Sequence, residues 1–436
     1  MKRHCLSICF LTLLITNPGH AQNFYGAGTS ADTARRAGIY AASTDNPADA
    51  LSMNPAGLTA LTAPTVNLSV AGIFARGSFS NASNKASPMS SNDGIVPFGA
   101  FGSPLGKHWA FGVGLMPDFL SASKWSYSDT SGLAGTTYGP QNEKSQIVAL
   151  RGSAGIAYCF SSKVSAGATF GIDANANTLI TPYIFQSNPA LAGLKTLLNL
   201  HTAGYGWNSS VGLIAKPSKK LQLAASFRTS TSITSHGTAT GNMGAEFQSL
   251  GLAFQPDFGY HAQVHVELPP SAIFSAGLQV TPSYRLSLQT DWIGWRNAFN
   301  SLPVTLTDGT NRDINALLQS STLKDTVPLE WKNQVIVRGA IERTLGEGVT
   351  IGAGYLYNNS PVPDSTLSPL TAAIMKNGIT TGIGWHTGRV HFGIAYGFDF
   401  TAHQQVTNSA LLYDEYSNSK TQIGTQALTF STAFTL

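Results

Sequence analysis

Apolar and polar residues alternate in short runs along most of the chain from about Thr65 onward. In 390–400 one face carries Val, Phe, Ile, Tyr, Phe and Phe, while the other carries His, Gly, Ala, Gly and Asp. The same alternation recurs in 285–295 and 332–342, where the second face carries charged and amide side chains. Alternation with period 2 is typical of a half-buried β-strand, and polar inner faces suit a water-filled lumen better than a dry core. The pattern predicts an all-β protein, an antiparallel transmembrane β-barrel.

Short turns alternate with long polar segments along this region, and their number indicates how many strands they connect. The six short turns lie near 104–107, 161–163, 217–220, 281–284, 345–348 and 387–389. The seven long segments lie near 81–92, 119–142, 179–204, 241–260, 298–330, 360–376 and 403–420. They separate fourteen predicted strands, near 65–80, 93–103, 108–118, 143–160, 163–178, 205–216, 221–238, 262–280, 285–297, 331–343, 349–359, 377–387, 390–402 and 421–436. An even strand number, with both chain ends on the side of the short turns, is expected of an outer-membrane barrel.

Aromatic residues cluster near the predicted strand ends. The outward-facing positions there include Trp109, Tyr158, Phe160, Trp207, Trp292 and Trp385. Such side chains favour the membrane–water interface, where an apolar ring meets a polar edge. One face of the last predicted strand consists of Leu428, Phe430, Phe434 and Leu436. Both observations favour a barrel embedded in a membrane.

The amino-acid composition excludes two other classes of protein. Only 11% of the 436 residues are charged, whereas about 25% is usual for a soluble domain. After the signal-like start of the chain, no stretch approaches the roughly 20 apolar residues that a transmembrane helix needs. The 44 Gly and 10% aromatic residues fit a β-barrel, whose alternating faces cancel in the mean hydropathy. These values exclude an ordinary soluble domain and a helical membrane protein.

Residues 1–21 have the pattern of a secretory signal peptide. Lys2 and Arg3 precede an apolar run, and Ala21 supplies a small residue for cleavage. We expect the mature chain to begin near Gln22 and to reside in a bacterial outer membrane.

Cys159 is then the sole cysteine of the mature chain, so no internal disulfide can form. Loss of Lys2 and Arg3 lowers the 26 Lys and Arg to 24, against 22 Asp and Glu, and this balance provides no basic surface for nucleic acid.

The segment 22–64 lacks the alternation of the rest of the chain. Asn46-Pro47 and Asn54-Pro55 each place a capping residue before a proline, as at the start of short helices. Two arrangements remain open. The segment is either a flexible periplasmic tail or a plug inside the barrel, since a barrel of about fourteen strands is wide enough to enclose one.

Several short motifs resemble one known family. The run 36–45 followed by Asn54-Pro55-Ala56-Gly57-Leu58 resembles the N-terminal hatch of the FadL/TodX-type outer-membrane transporters of long-chain fatty acids and other hydrophobic compounds. Further resemblances lie in 268–271, 291–295, 331–333 and 354–364, and together the motifs cover nearly the whole mature chain. Two features differ from the family. The segment 119–142 lacks the family's Trp-Gly-Arg-Tyr run, and the chain ends in Leu436 where Phe is commoner.

The resemblance implies a fourteen-stranded barrel formed by 65–436 and plugged by a hatch formed by 22–64. It also implies that extracellular loops capture a hydrophobic ligand, which leaves through a lateral gap in the barrel wall. Asn54, Pro55 and Ala56 match the family's Asn-Pro-Ala motif. These three residues are therefore the candidate hatch gate.

Enzyme motifs are missing from the sequence. It contains no G-x-S-x-G elbow, no H-E-x-x-H, no phosphate-binding G-K-[ST] and no cysteine pair. We expect no catalytic residue, no metal and no cofactor. His201, His261 and His386 leave a barrel hydrolase as a distant alternative, in which one of them would act with a serine.

Two long segments contain the apolar residues expected of a ligand-capturing surface. Asn188-Pro189 predicts a helix with Leu191, Leu194, Leu197 and Leu198 along one stripe. The next long segment contains Phe247, Leu250, Leu252 and Phe254. Exposed apolar patches often mark binding sites. The alternative is that these residues pack the two loops against each other.

Three basic residues on predicted inner faces are candidates for binding a carboxylate head group: Arg151, Lys332 and Arg338. Arginine suits this role because its guanidinium binds a carboxylate in a bidentate manner. The alternative is a salt bridge within the lumen, for instance from Arg338 to Glu342 or Asp291.

The sequence as a whole predicts a passive outer-membrane transporter of long-chain fatty acids or other hydrophobic compounds. We expect a monomer surrounded by outer-membrane lipid, with hydrophobic small molecules as its ligands and no nucleic-acid partner. A general porin, or a barrel that shuttles or scaffolds secreted proteins, is the alternative.

Overall fold

Fourteen antiparallel strands pair in chain order, and the last pairs with the first to close a barrel. The structure is a computed structural model that describes residues 30–41, 46–90 and 92–436. The predicted signal peptide, 1–21, lies outside the described residues. The closing pair runs in register from Thr65 opposite Thr435 to Ser80 opposite Lys420.

Most of the chain is strand, with a few short helices. The barrel strands are β1 (Thr65–Ser80), β2 (Asn92–Leu105), β3 (Trp109–Ser128), β4 (Pro140–Ser161), β5 (Val164–Ile184), β6 (Lys195–Ala215), β7 (Leu221–Arg228 and Thr231–Asn242), β8 (Asp257–Leu268 and Ser271–Gln279), β9 (Tyr284–Ile293 and Ser301–Thr307), β10 (Leu323–Pro328 and Gln334–Thr344), β11 (Val349–Asn358), β12 (Asn377–Thr387), β13 (Val390–Val406) and β14 (Ser419–Thr435). The α-helices are α1 (Ala31–Arg35), α2 (Pro47–Met53), α3 (Gly244–Ser249), α4 (Trp295–Ala298) and α5 (Arg312–Leu318). Among the described residues, none of these helices has the length and hydrophobicity to cross a membrane.

The remaining elements are short. A two-residue strand, Ser87–Pro88, pairs with the outer end of β1. Turns of 3₁₀ helix lie at Pro55–Ala60, Leu133–Gly135, Gly346–Gly348, Asp364–Thr366, Pro369–Thr371 and Leu412–Asp414.

The fourteen-stranded antiparallel barrel and its six short turns are confirmed, but several strands are longer than predicted. β3 continues to Ser128 and β4 begins at Pro140, both within the segment predicted as a loop. Outside the bilayer a strand has no need of an apolar outer face, so the alternation that marks a membrane strand fades. The ladder still continues, because each added pair satisfies backbone donors and acceptors.

The helix predicted after Asn188-Pro189 is wrong. Only a turn forms there, and β6 begins at Lys195, so that Leu197 and Leu198 face opposite sides of a strand. Leu197 pairs with Asn242 of β7. Hydrogen bonds between strands decide the conformation of this segment and override the helical spacing of its leucines.

Four neighbouring strands are interrupted at one level of the wall. The breaks lie at 229–230 in β7, 269–270 in β8, 294–300 in β9 and 329–333 in β10. Pro269 and Pro270 carry no backbone N–H, so the ladder cannot continue through them. Beyond the breaks, the outer parts of these strands form a separate upper wall.

The outward surface carries an apolar band with aromatic edges, as predicted. Trp109 and Phe160 are 48% and 62% exposed at the end with the short turns. Tyr205 and Trp207, on β6, are 58% and 67% exposed toward the other end. Aromatic rings at both edges of an apolar band are typical of a barrel that crosses a bilayer.

The described N-terminal residues lie inside the barrel. α1 packs against β12 and β13, α2 against β2 and β3, and the turn Pro55–Ala60 against β4, β5 and β6. Gly167 of β5 permits this approach, because a Cβ there would lie 2.6 Å from the carbonyl carbon of Pro55.

Candidate functional site

An apolar cavity lies inside the outer part of the barrel, with a volume of about 170 Å³. Its walls come from several strands, and representative lining residues are Leu198, Val264, Leu302, Val327 and Trp331. In this outer part the apolar side chains point inward, the reverse of the arrangement at membrane level. Such a cavity favours an apolar guest, because its lining provides hydrophobic contact and few polar partners.

Asp325 is the one charged residue among those that line the cavity. Its Oδ2 accepts from Tyr183 Oη at 2.6 Å and from Gln186 N at 3.0 Å, and its Oδ1 accepts from Ser187 N at 2.6 Å and from Asn188 N at 3.0 Å. The carboxylate thereby ties the loop 185–194 to β10. No Lys or Arg side chain lines the cavity, so its described lining offers no positive charge to a ligand carboxylate.

An aromatic cluster lies at the level of the strand breaks. The Trp331 ring lies 4.9 Å from the rings of Trp295 and Phe299, and the Phe119 ring lies 5.7 Å from that of Trp295. Trp331 and Phe299 also line the cavity. The cluster connects the strand breaks of β9 and β10 to β3 on the far side of the lumen.

Loops cover the outer end of the cavity and contact one another. Leu412 N donates to Gln186 Oε1 at 3.1 Å, which joins loop 407–418 to loop 185–194. Ala410 N donates to Ser365 O at 2.7 Å. Trp125 Nε1 donates to Pro369 O at 2.9 Å. Loop 407–418 and β3 thus contact the segment 359–376, which contributes part of the cavity lining, and loop 185–194 is joined to it through loop 407–418.

Buried acids lie beside this cover, beyond the apolar band. The Glu143 carboxylate accepts from Tyr127 Oη at 2.8 Å and from Thr181 Oγ1 at 2.7 Å. Burial raises the pKa of Glu143 to about 7 and that of Glu415 to about 8. Burial in this cluster therefore favours the neutral carboxylic acid in both side chains.

The ladder between β2 and β3 ends halfway along the strands. Its last pair toward the outer side is Gly99 with Leu115. In the same register the next non-adjacent pair would be Pro97 with Pro117, and neither residue has an N–H to donate. β3 then bulges against β4 between Pro117 and Phe119. In the described part of both strands, this stretch of wall therefore lacks the ladder hydrogen bonds that join β2 to β3 nearer the short turns.

A buried ion pair holds the bulge. Asp118 points into the lumen and pairs with Arg228 at the break of β7, and both side chains are largely buried. The pair spans the lumen between strands that are not neighbours. Its attraction favours the inward position of β3 where the ladder ends.

Asn54 connects the N-terminal segment to the barrel wall. Its Oδ1 accepts from Ala56 N, and its Nδ2 donates to Leu213 O of β6 and Ala225 O of β7, each at 3.1 Å. Pro55 occupies the first position of the 3₁₀ turn, and Ala56 is fully buried. These contacts hold the three residues together in the lumen. Their role as a gate remains a prediction.

The three head-group candidates lie apart from the cavity. Arg338 Nε donates to Asp291 Oδ2 at 2.8 Å and its Nη1 donates to Ala37 O at 2.6 Å. Arg151 is buried in the lumen and donates to Thr169 Oγ1 at 2.9 Å. Lys332 is exposed before the inner part of β10. Their role in binding a carboxylate stays a prediction.

Of the seven apolar residues predicted to bind ligand, Leu198 lines the cavity. Leu191 and Phe247 are buried, Leu194 and Phe254 are partly buried against the core, and Leu250 is 37% exposed. Phe247 and Phe254 stack edge to face at 5.4 Å. This ring contact lies within one loop, and the binding role of all seven residues remains a prediction.

Sequence reasoning missed most of the cavity lining. Leu302, Val304 and Leu306 alternate along β9, and Leu323 and Val327 lie on β10, within a segment predicted as a loop. The alternation of apolar residues over 302–306 was the signal that could have identified this strand. Among the described residues, no group of three His, Cys, Asp or Glu side chains is placed to hold a metal.

Comparisons with known proteins agree with this architecture. A family model described as Outer membrane protein transport protein (OMPP1/FadL/TodX) matches residues 12–436. The chain is similar to the structure of a Pseudomonas aeruginosa FadL homologue, with 14% identity, coverage of 95% of this chain and 99% of that chain, and a TM-score of 0.73. No curated protein matches.

Two further solved structures are also similar. They are the P. putida toluene transporter TodX, with 17% identity, coverage of 94% and 99% and a TM-score of 0.74, and the Ralstonia pickettii toluene transporter TbuX, with 15% identity, coverage of 94% and 100% and a TM-score of 0.69. At these identities the likeness shows a shared fold.

Proposed function

This chain belongs to the OMPP1/FadL/TodX family of outer-membrane transport proteins, and on that premise we propose that it carries small, neutral hydrophobic compounds across the outer membrane. Its closed barrel makes it an integral protein of that membrane. The family consists of transporters, which agrees with the lack of enzyme motifs in the sequence.

The cavity is the observation that supports a small, neutral ligand. A cavity of 150 Å³ lined by apolar side chains is known to bind benzene, and the cavity here measures about 170 Å³. A single aromatic ring or a short hydrocarbon matches this volume. The names of TodX and TbuX as toluene transporters point to the same class of ligand.

Weak binding is suited to a passive channel, since a ligand must also leave. Each buried CH₂ contributes about 0.8 kcal/mol, so a ring with one methyl group gains roughly 5 kcal/mol before the costs of association are subtracted. That gain corresponds to a Kd of at best a few hundred micromolar. Release from the cavity then needs no energy source.

The route that we propose for the ligand is lateral, through the wall of the barrel. The N-terminal segment acts as a hatch whose described residues, 30–41 and 46–64, obstruct the lumen, with Asn54, Pro55 and Ala56 at its gate. The ligand enters between the outer loops, binds in the cavity and leaves through the wall between β2 and β3. The interrupted ladder and the buried pair of Asp118 with Arg228 support this path.

Competition with an apolar fluorescent probe in detergent tests the ligand class. We expect toluene to displace the probe, and we expect benzoate, which adds a negative charge to a similar ring, to fail at equal concentration. Leu302→Asp should abolish displacement, because it places a charge in the cavity wall. Leu317→Asp, at an exposed position of α5 outside the cavity lining, is the matched control.

A long-chain fatty acid is the contrasting outcome. If palmitate competes better than toluene, and Arg338→Ala or Arg151→Ala weakens palmitate but not its methyl ester, then an arginine binds the head group and the ligand is an acid. Equal competition by benzoate and toluene would also contradict a neutral site. Leu194→Asp serves as a test of the outer loops, because loss of binding for acid and ester alike would place capture there.

A further inference from the structure

Basic side chains face outward on neighbouring strands beyond the apolar band. Lys124 of β3 lies directly opposite Lys144 of β4 in the ladder. His201 of β6 hydrogen-bonds through Nδ1 with Thr178 Oγ1 of β5 at 3.2 Å. Thr178 lies opposite Gln146, two positions from Lys144 on the same face of β4. Lys124, Lys144 and His201 therefore lie on one outward surface, which we call the basic patch.

The height of the basic patch relative to the membrane follows from β6. Tyr205 and Trp207 mark the edge of the apolar band on the outer side, since both are more than half exposed and such rings favour the interface. His201 lies four positions farther along the same strand. At about 3.3 Å per residue and a tilt of about 40°, that separation is roughly 10 Å. The basic patch therefore lies in the layer of lipid head groups.

The positive charge of the basic patch is not neutralised by the protein. Among the described residues, the outward positions of β3 to β6 in this outer part hold no Asp or Glu. The case is different on β1, where Arg76 pairs with Asp93 of β2 at 2.5 Å. Like charges directly opposite each other destabilise a sheet.

We propose that the basic patch binds the phosphate and carboxylate groups of lipopolysaccharide in the outer leaflet. That glycolipid places several negative charges just above its acyl chains, at the height of the basic patch. An anion between Lys124 and Lys144 would replace their repulsion with two attractions. Lys124 lies on β3, the strand that borders the interrupted ladder, so the bound head group anchors one side of that stretch of wall.

Titration with a defined lipopolysaccharide tests this inference. The protein is refolded in detergent free of lipopolysaccharide, and binding of Kdo₂-lipid A is followed by native mass spectrometry and by the thermal midpoint of unfolding. We expect Lys124→Gln/Lys144→Gln to weaken binding about thirtyfold, because each lysine near a charged membrane surface contributes roughly a fivefold factor. The control Lys219→Gln/Lys220→Gln removes the same charge from the exposed turn between β6 and β7 and should leave binding within twofold of the parent.

Two further probes identify the source of the anion. Dephosphorylated lipid A without the Kdo sugars keeps the acyl chains but lacks the phosphates and carboxylates, and it should bind equally to parent and variant. Inorganic phosphate alone should neither raise the thermal midpoint nor displace Kdo₂-lipid A. The inference is overturned if the double variant binds Kdo₂-lipid A as tightly as the parent, if both double variants lose affinity equally, or if free phosphate displaces the lipid. Toluene binding by the Lys124→Gln/Lys144→Gln variant should match the parent, so this result is separate from the transport proposal.

Discussion

Replacement of Asn54 by Ala tests whether this side chain holds the N-terminal segment against the barrel wall. The side chain makes three hydrogen bonds of 3.1 Å, to Leu213 O, Ala225 O and Ala56 N. The bonds to Leu213 O and Ala225 O join the segment to the wall, whereas the bond from Ala56 N lies within the segment. A hydrogen bond contributes about 1 kcal/mol net, so loss of the two wall contacts removes roughly 2 kcal/mol from the docked state. Since 1.4 kcal/mol corresponds to a factor of ten, we expect the undocked fraction to rise roughly 30-fold.

The reaction rate of a cysteine in the segment measures this fraction. Ala60→Cys, at a half-buried position, is placed in a Cys159→Ser background and reacted with a thiol reagent added from the periplasmic side. When docking is fast relative to the reaction, the observed rate follows the undocked population. Asn54→Asp should undock at least as much, because its carboxylate would face two carbonyl oxygens that now accept from the amide.

Loss of a helix cap alone must be separated from loss of the wall contact. Asn46→Ala removes the cap of α2, where Asn46 Oδ1 accepts from Ala48 N at 2.9 Å, and costs about 1 kcal/mol. Its labelling rate should therefore rise less than tenfold. If Asn54→Ala labels within twofold of the parent, while the barrel still migrates as a heat-modifiable band, these hydrogen bonds do not hold the segment. If ligand uptake is unchanged as well, the gate assignment is wrong.

Three further perturbations follow from buried groups and from the cavity. Arg228→Ala leaves Asp118 buried without its partner and should lower the free energy of unfolding by about 3–5 kcal/mol, as measured by urea titration in micelles. Tyr127 Oη, which donates to Glu143, also hydrogen-bonds with Tyr416 Oη of loop 407–418 at 3.3 Å. Glu143→Gln should therefore flatten the pH dependence of hydrogen-exchange protection in that loop. Glu143 has a raised pKa, so its stabilisation of the folded loop is complete below its ordinary pKa of 4.5 and is lost as the pH rises toward about 7. Val327→Trp should fill much of the cavity and reduce toluene binding without loss of the barrel.

Each of these perturbations has its own control. The double variant Arg228→Ala/Asp118→Ala should be more stable than Arg228→Ala alone, and equal stability would show that the pair is not coupled. If loop 407–418 instead becomes less protected from hydrogen exchange as the pH falls, the pH dependence expected for Glu143 is wrong. Leu317→Trp, at an exposed helix position, controls for the added ring. Unchanged toluene binding by Val327→Trp would place the ligand elsewhere.

The sequence by itself determined the architecture of the barrel. In a strand, successive side chains point to opposite faces, so the environment of each face is written locally as alternation. The runs in 285–293 and 390–400 therefore revealed strands, their inner and outer faces and the short turns between them. Capping residues and prolines at Asn46-Pro47 and Asn54-Pro55 likewise predicted short helical elements, because a cap acts within one helical turn.

Local pattern did not determine where strands end outside the membrane. Beyond the bilayer the outer face is wet and the inner face packs around a cavity, so the alternation weakens or reverses. Leu302, Val304 and Leu306 show this reversal, and they belong to a segment predicted as a loop. The leucines of 191–198 fit a helical stripe equally well, and only the pairing of Leu197 with Asn242 decided in favour of a strand.

Only the tertiary structure decided which side chains meet. Pro97 and Pro117 are unremarkable in sequence, yet the stagger of β2 against β3 aligns them where the ladder ends. Asp118 reaches Arg228 across the lumen, and Arg338 is neutralised by Asp291, a pairing that the sequence had left open. Contacts of this kind depend on the closure and stagger of the whole barrel, which fix distances between residues far apart in the chain. No local pattern carries that information, because alternation specifies the face of a residue and not its partner across the lumen.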